Sequence, residues 1–85
     1  MTSTLDHAII RGIRAERTRL DLTQQQLADK LHWSRKTIVA IEGGDRKLLA
    51  HELADVCRAL GITLRVLLVS ADDADLEALG MPNDL

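Results

Sequence analysis

Residues 32–37, His-Trp-Ser-Arg-Lys-Thr, place the only Trp of the chain just before a Ser and a run of side chains that donate or accept hydrogen bonds. Arg35 and Lys36 supply lasting positive charge and several N–H donors, chemistry suited to an anionic or acceptor-rich surface. Ser34 is a preferred helix N-cap, and Trp33 one position earlier can pack on Ile38 as a hydrophobic staple. The cations therefore stand at the start of a helix whose direction is fixed. Along that helix Ser34, Thr37, Ile41 and Glu42 fall toward Ile38, leaving Arg35, Lys36, Val39 and Ala40 for the outer face. A charged pair beside small apolar side chains is an odd solvent face and reads as a contact surface.

Other chemistries are poorly represented. His7, His32, His51 and Cys57 show no metal-ligand spacing, and such residues are usually structural or exposed. No Ser-His-Asp or Cys-His arrangement has supporting loop chemistry, so neither an enzyme nor a cofactor is expected. Cys57 reads as a small buried residue beside an apolar stripe.

The elements that must position this face are helical. Eighty-five residues suffice for one small domain, whose core must be economical or completed by a partner. Apolar residues make up 46% of the chain, yet Phe and Tyr are absent, so Leu, Ile, Val and Ala must build an all-α interior. Ile9, Ile13 and Leu20 share one face of a first helix, expected from about Asp6 to about Leu20, and Asp21 can take the left-handed turn that ends it. Thr23-Gln24-Gln25-Gln26 has the capping-box pattern, opening a second helix that buries Leu27, Ala28 and Leu31. After the third helix Gly43-Gly44-Asp45 is a break, Arg46-Lys47 a basic turn, and Leu49, Leu53, Val56 and Leu60 the stripe of a fourth helix ending at Gly61.

Residues 62–70 are ambiguous. Thr63 could cap a short fifth helix, but Ile62, Leu64 and Val66 alternate with Thr63 and Arg65, which favours a strand. A lone strand cannot satisfy its own backbone, so it would pair with the same strand of a second chain through Ile62, Leu64, Val66 and Leu68. Residues 71–85 are acidic and expected to be a partly mobile tail.

Charge divides along the chain. Residues 1–47 hold nine Lys or Arg against six Asp or Glu, and residues 48–85 hold two against seven, so a net charge of -2 conceals +3 followed by -5. The two parts are expected to face different partners. One Cys closes no intramolecular disulfide, no leader pattern is evident and the apolar runs are too short for a membrane span, which makes a cytoplasmic protein the expectation.

Two short helices joined by a tight turn, the second with a polar outer face, describe a helix-turn-helix. The stretch LTQQQLADKLHWSRKTIVAIEGGDRK resembles the helix-turn-helix family of phage repressors and Cro proteins, the xenobiotic-response-element family. Thr23-Gln24, Leu27-Ala28, Leu31, Trp33-Ser34, Ile38, Ile41-Glu42 and Gly44 carry the resemblance, which extends from about Ile9 to Leu64. Where the family commonly has Gly after its second helix this chain has His32, which must adopt or avoid a left-handed conformation at some strain.

The resemblance implies a lambda-repressor-like bundle of four to five helices over residues 1–70, with 62–70 as dimerisation segment. It implies that the third helix enters a major groove of double-stranded DNA, with Arg35 and Lys36 reading base edges and Val39 and Ala40 meeting thymine methyls. Thr23, Gln24, Ser34, Thr37, Gly44, Arg46 and Lys47 would hold phosphates. Trp33 and Ile38 would be structural, and Arg17 would pair with Glu42. The function so implied is a transcriptional repressor acting as a homodimer on an inverted repeat. Two alternatives stay open: an antitoxin that also binds a toxin, and a protein-interaction module that has lost DNA binding.

Overall fold

The computed structural model describes residues 4–69, which form five α-helices: α1 Thr4–Arg19, α2 Gln24–Leu31, α3 Arg35–Glu42, α4 Ala50–Leu60 and α5 Leu64–Val69. The acidic segment 71–85 lies outside the described residues.

α1, α2 and α4 end by the same device. Beyond each, one residue takes the left-handed conformation: Asp21 at φ 56°, His32 at 58° and Gly61 at 68°. The amide of the next residue then reaches back five positions along the turn, Leu22 to the Arg17 carbonyl at 3.0 Å, Trp33 to Ala28 at 2.9 Å and Ile62 to Cys57 at 3.0 Å. This arrangement satisfies helix-end carbonyls and sets an apolar residue against the helix it closes. Leu22, Trp33 and Ile62 accordingly pack, partly buried, on the core. Two of the three left-handed positions carry a Cβ, which costs roughly 1 kcal/mol each.

The core itself is aliphatic: Ile13 from α1, Leu27 and Ala28 from α2, Ile38 and Ile41 from α3, Val56, Cys57 and Leu60 from α4, and Leu67 from α5. Leu20, expected on the inner face of the first helix, is instead 39% exposed. The helix has ended at Arg19, and the turn at Asp21 brings Leu22 inward in its place. α5 lies so close to α1 that a Cβ on Gly12 would fall 2.3 Å from the Leu67 carbonyl oxygen.

The strand expected over 62–70 is not formed. Residues 64–69 are α5, and Thr63 caps it, its Oγ1 accepting from the Val66 amide at 3.2 Å. Ile62 belongs to the closing turn of α4, which removes it from the alternating pattern. From Leu64 onward the helical spacing buries Leu67 and Leu68, while Leu64 and Val66 remain 47% and 42% exposed. Ile62, Leu64, Val66 and Leu68 therefore do not share one face of a strand, and Leu68 is occupied inside the monomer.

Candidate nucleic-acid interface

α3 is held from both ends and from beneath. Ser34 Oγ accepts from the Thr37 amide at 3.2 Å and lies 3.0 Å from Thr37 Oγ1, so the two hydroxyls are engaged with each other at the helix start. Ile38, Ile41 and Glu42 are buried on the inner side. Trp33, half-buried, packs against the cluster that contains Ile38. At the far end the amides of Asp45 and Arg46 both donate to the Ala40 carbonyl, at 2.8 and 3.2 Å, and Gly44 takes φ 83°, a value that favours glycine.

On the outer side Arg35 and Lys36 are exposed, Val39 is 42% exposed and Ala40 is half-buried. Arg35 stands only about 60° from Ile38 on an ideal wheel. It is nonetheless exposed, as the first residue of the helix. Among the described residues neither Arg35 nor Lys36 has a side-chain hydrogen bond or ion pair.

Beneath this face runs a buried polar network. Arg17 donates from Nε to Glu42 Oε2 at 2.8 Å and from Nη2 to Oε1 at 3.0 Å, and its Nη1 donates to the Leu22 carbonyl at 2.8 Å. The Glu42 side chain is 4% exposed and that of Arg17 17%. Gln24 completes the set, its amide donating to Glu42 Oε1 at 3.2 Å. One carboxylate thus ties together α1, the start of α2 and the end of α3.

The start of α2 shows a full capping box: Thr23 Oγ1 accepts from the Gln26 amide at 3.0 Å, and the Thr23 amide donates to Gln26 Oε1 at 2.8 Å. The amides between them, of Gln24 and Gln25, have no carbonyl one turn back inside the helix. It is this backbone, and not the inward-turned Gln24 side chain, that is left to meet an anion.

The basic turn is partly engaged. Arg46 makes a two-pronged contact with Glu52, which also accepts from the Leu49 amide at 2.9 Å. These donors, Arg46 first and the Leu49 amide second, hold the Glu52 carboxyl at about 2, and the same hydrogen bond raises Arg46 above its ordinary value. Lys47 is 72% exposed and 3.8 Å from Asp6.

Sequence reasoning missed Glu52, although its place three residues after Leu49 is capping-box spacing. It also missed Glu16, buried on α1 with Arg19 Nε 2.6 Å from its Oε2. No group of three or more potential metal ligands occurs among the described residues. No helix among them is long and apolar enough to cross a membrane.

A family model described as helix-turn-helix matches residues 13–67, more than half of the chain. The chain belongs to the helix-turn-helix family, of the Cro/C1 type. The crystal structure of the clp gene regulator ClgR from Corynebacterium glutamicum superposes with a TM-score of 0.75 at 25% identity, over 89% of this chain and 81% of that one. No curated protein matches the chain by sequence. The match at 13–67 takes in α2, the His32-Trp33 turn, α3 and most of α5, so the helix-turn-helix unit and its supporting helices are one module.

Proposed function

We propose that this chain is a sequence-specific regulator of transcription that binds double-stranded DNA, acting as a homodimeric repressor on an inverted repeat. The observation that carries the reading is the outer face of α3. Two cations without partners among the described residues project beside Val39 and Ala40 from a helix braced by Trp33 and the Arg17–Glu42 pair. Arg35 can donate bidentately to guanine O6 and N7, Lys36 to either acceptor, and the small apolar side chains suit thymine methyls. The free amides at the start of α2, with Gly44, Arg46 and Lys47 beyond α3, supply phosphate contacts on either side. The role of the superposed protein as a gene regulator supports the same reading.

A homodimer with two-fold symmetry sets its recognition helices about 34 Å apart, one turn of the duplex. The strand pairing first expected for it is replaced by an apolar groove between α4 and α5. Leu53, Ala54, Cys57, Ile62 and Leu64 line it, and none of its lining residues carries formal charge. Such a patch can face its own copy without like-charge repulsion. Bound over a promoter, the dimer represses by occlusion.

Fluorescence anisotropy on random-sequence duplex tests the first step. Binding is expected at low salt and should weaken linearly in log-log form, each phosphate neutralised adding about -0.9 to the slope. Absence of binding at low salt would instead favour a protein-interaction module.

A further inference from the structure

Arg46 is held in a way that leaves one edge of its guanidinium open. Nη1 donates to Glu52 Oε1 at 3.2 Å and to the Lys47 carbonyl at 3.4 Å, and Nη2 donates to Glu52 Oε2 at 2.8 Å. The end of the fork is therefore taken. Of its five N–H groups, Nε–H and the second proton of Nη2 remain without an acceptor among the described residues, and these two lie parallel on the side of the fork. That side is the one Arg17 uses on Glu42, through Nε and Nη2. It matches two oxygens of a phosphate as well as two of a carboxylate.

Glu52 is itself anchored, since its Oε1 accepts from the Leu49 amide at the start of α4. Its side chain is 12% exposed and that of Arg46 39%, so the carboxylate lies under the guanidinium while the guanidinium reaches the surface. We propose that Glu52 is a positioning residue for DNA binding: it clamps the end of the Arg46 fork to α4 so that the open side is presented to a backbone phosphate. The inference rests on the proposed DNA-binding function and adds to it a residue that carries the wrong charge for touching DNA.

That charge makes the proposal testable by sign. If Glu52 acted on the duplex only through its charge, neutralising it would tighten binding. If it positions Arg46, neutralising it weakens binding, because the arginine must then be ordered on association at a cost equivalent to about two- to tenfold in affinity. Glu52→Gln keeps an oxygen for the Leu49 amide and nearly the same shape, and a thermal melt checks that the variant is folded.

The experiment measures affinity for a duplex across a salt series with the wild-type chain, Glu52→Gln, Arg46→Ala and the double variant. Glu52→Gln is expected to weaken binding by about two- to tenfold. Arg46→Ala should make the salt slope less negative by about one. With Arg46 absent, Glu52→Gln should have no effect or should tighten binding, because only its charge is then felt. Binding by Glu52→Gln equal to or tighter than wild type overturns the proposal. So does the same weakening with and without Arg46, which would mark a purely structural role. Failure of the wild-type chain to bind any duplex removes the DNA-binding reading and the inference with it, and is seen before any variant is compared.

Discussion

Replacing Arg17 by Ala should be among the most damaging single changes available, and its size follows from what Glu42 would lose. The carboxylate is 4% exposed and receives two charged hydrogen bonds from Arg17, at 2.8 and 3.0 Å, leaving only the neutral Gln24 amide at 3.2 Å. Removing one partner of a buried ion pair costs about 3–5 kcal/mol, because the remaining charge is stranded. Arg17 is 17% exposed, so water can enter the space it vacates, and the lower end applies. The Leu22 carbonyl also loses its donor, which weakens the turn that closes α1. A loss of about 3 kcal/mol at an m-value of about 1–1.5 kcal/mol/M moves the urea midpoint down by roughly 2–3 M, a large part of the stability of a domain this size. Fluorescence of Trp33, the only Trp, follows the transition directly. Arg17→Met with Glu42→Leu should recover most of the loss, since neither charge is then buried. A midpoint for Arg17→Ala within about 0.5 M of wild type would refute the claim that this pair holds α3 to α1.

Gly12→Ala should destabilise by about 1–3 kcal/mol despite the better helix propensity of Ala, because the new Cβ falls 2.3 Å from the Leu67 carbonyl oxygen; a thermal melt with an unchanged midpoint would contradict the packing of α5 on α1. His32→Gly should stabilise by about 0.5–1 kcal/mol, the relief of a left-handed Cβ exceeding the added freedom of the unfolded chain, as read by chemical denaturation. The Glu52 carboxyl is held at about 2 in the folded chain against 4.5 ordinarily. Its pairing therefore stabilises fully above pH about 4.5, neutral pH included, and is lost as pH falls toward about 2, so Glu52→Gln should lower stability at neutral pH and flatten its pH dependence within that acid window.

How far the fold could be read depended on whether local chemistry and tertiary packing agreed. Thr23 with Gln26, and Ser34 after Trp33, are capping signals that act within four residues, and both operate as their spacing implies. Asp21 likewise takes the left-handed turn expected of it. Residues 62–70 misled because two roles overlap there: Ile62 closes α4, Thr63 opens α5, and only from Leu64 does the spacing of Leu67 and Leu68 become helical. Read as one run, these produce a false alternation. Glu16, and the contact of Glu52 with Arg46 as distinct from its capping place after Leu49, escape the sequence for another reason. A buried acid looks like any helix-surface acid until its partner is known, and the Arg46–Glu52 contact joins a loop to a helix, where no periodicity signals it. At the candidate interface the outward placement of Arg35, Lys36 and Val39 follows from the cap and the apolar inner face. The inward turn of Gln24 onto Glu42 does not, because it requires α1 to have delivered Arg17.

The most direct test of the proposed function is backbone amide NMR of the full chain titrated with a duplex selected from a random pool. The largest shifts should fall on residues 34–40, on Thr23 to Gln25 and on Gly44 to Lys47. If the selected duplex binds while Arg35 and Lys36 stay unmoved and the shifts gather on the outer surfaces of α4 and α5, then α3 is not the reading helix and the account is wrong.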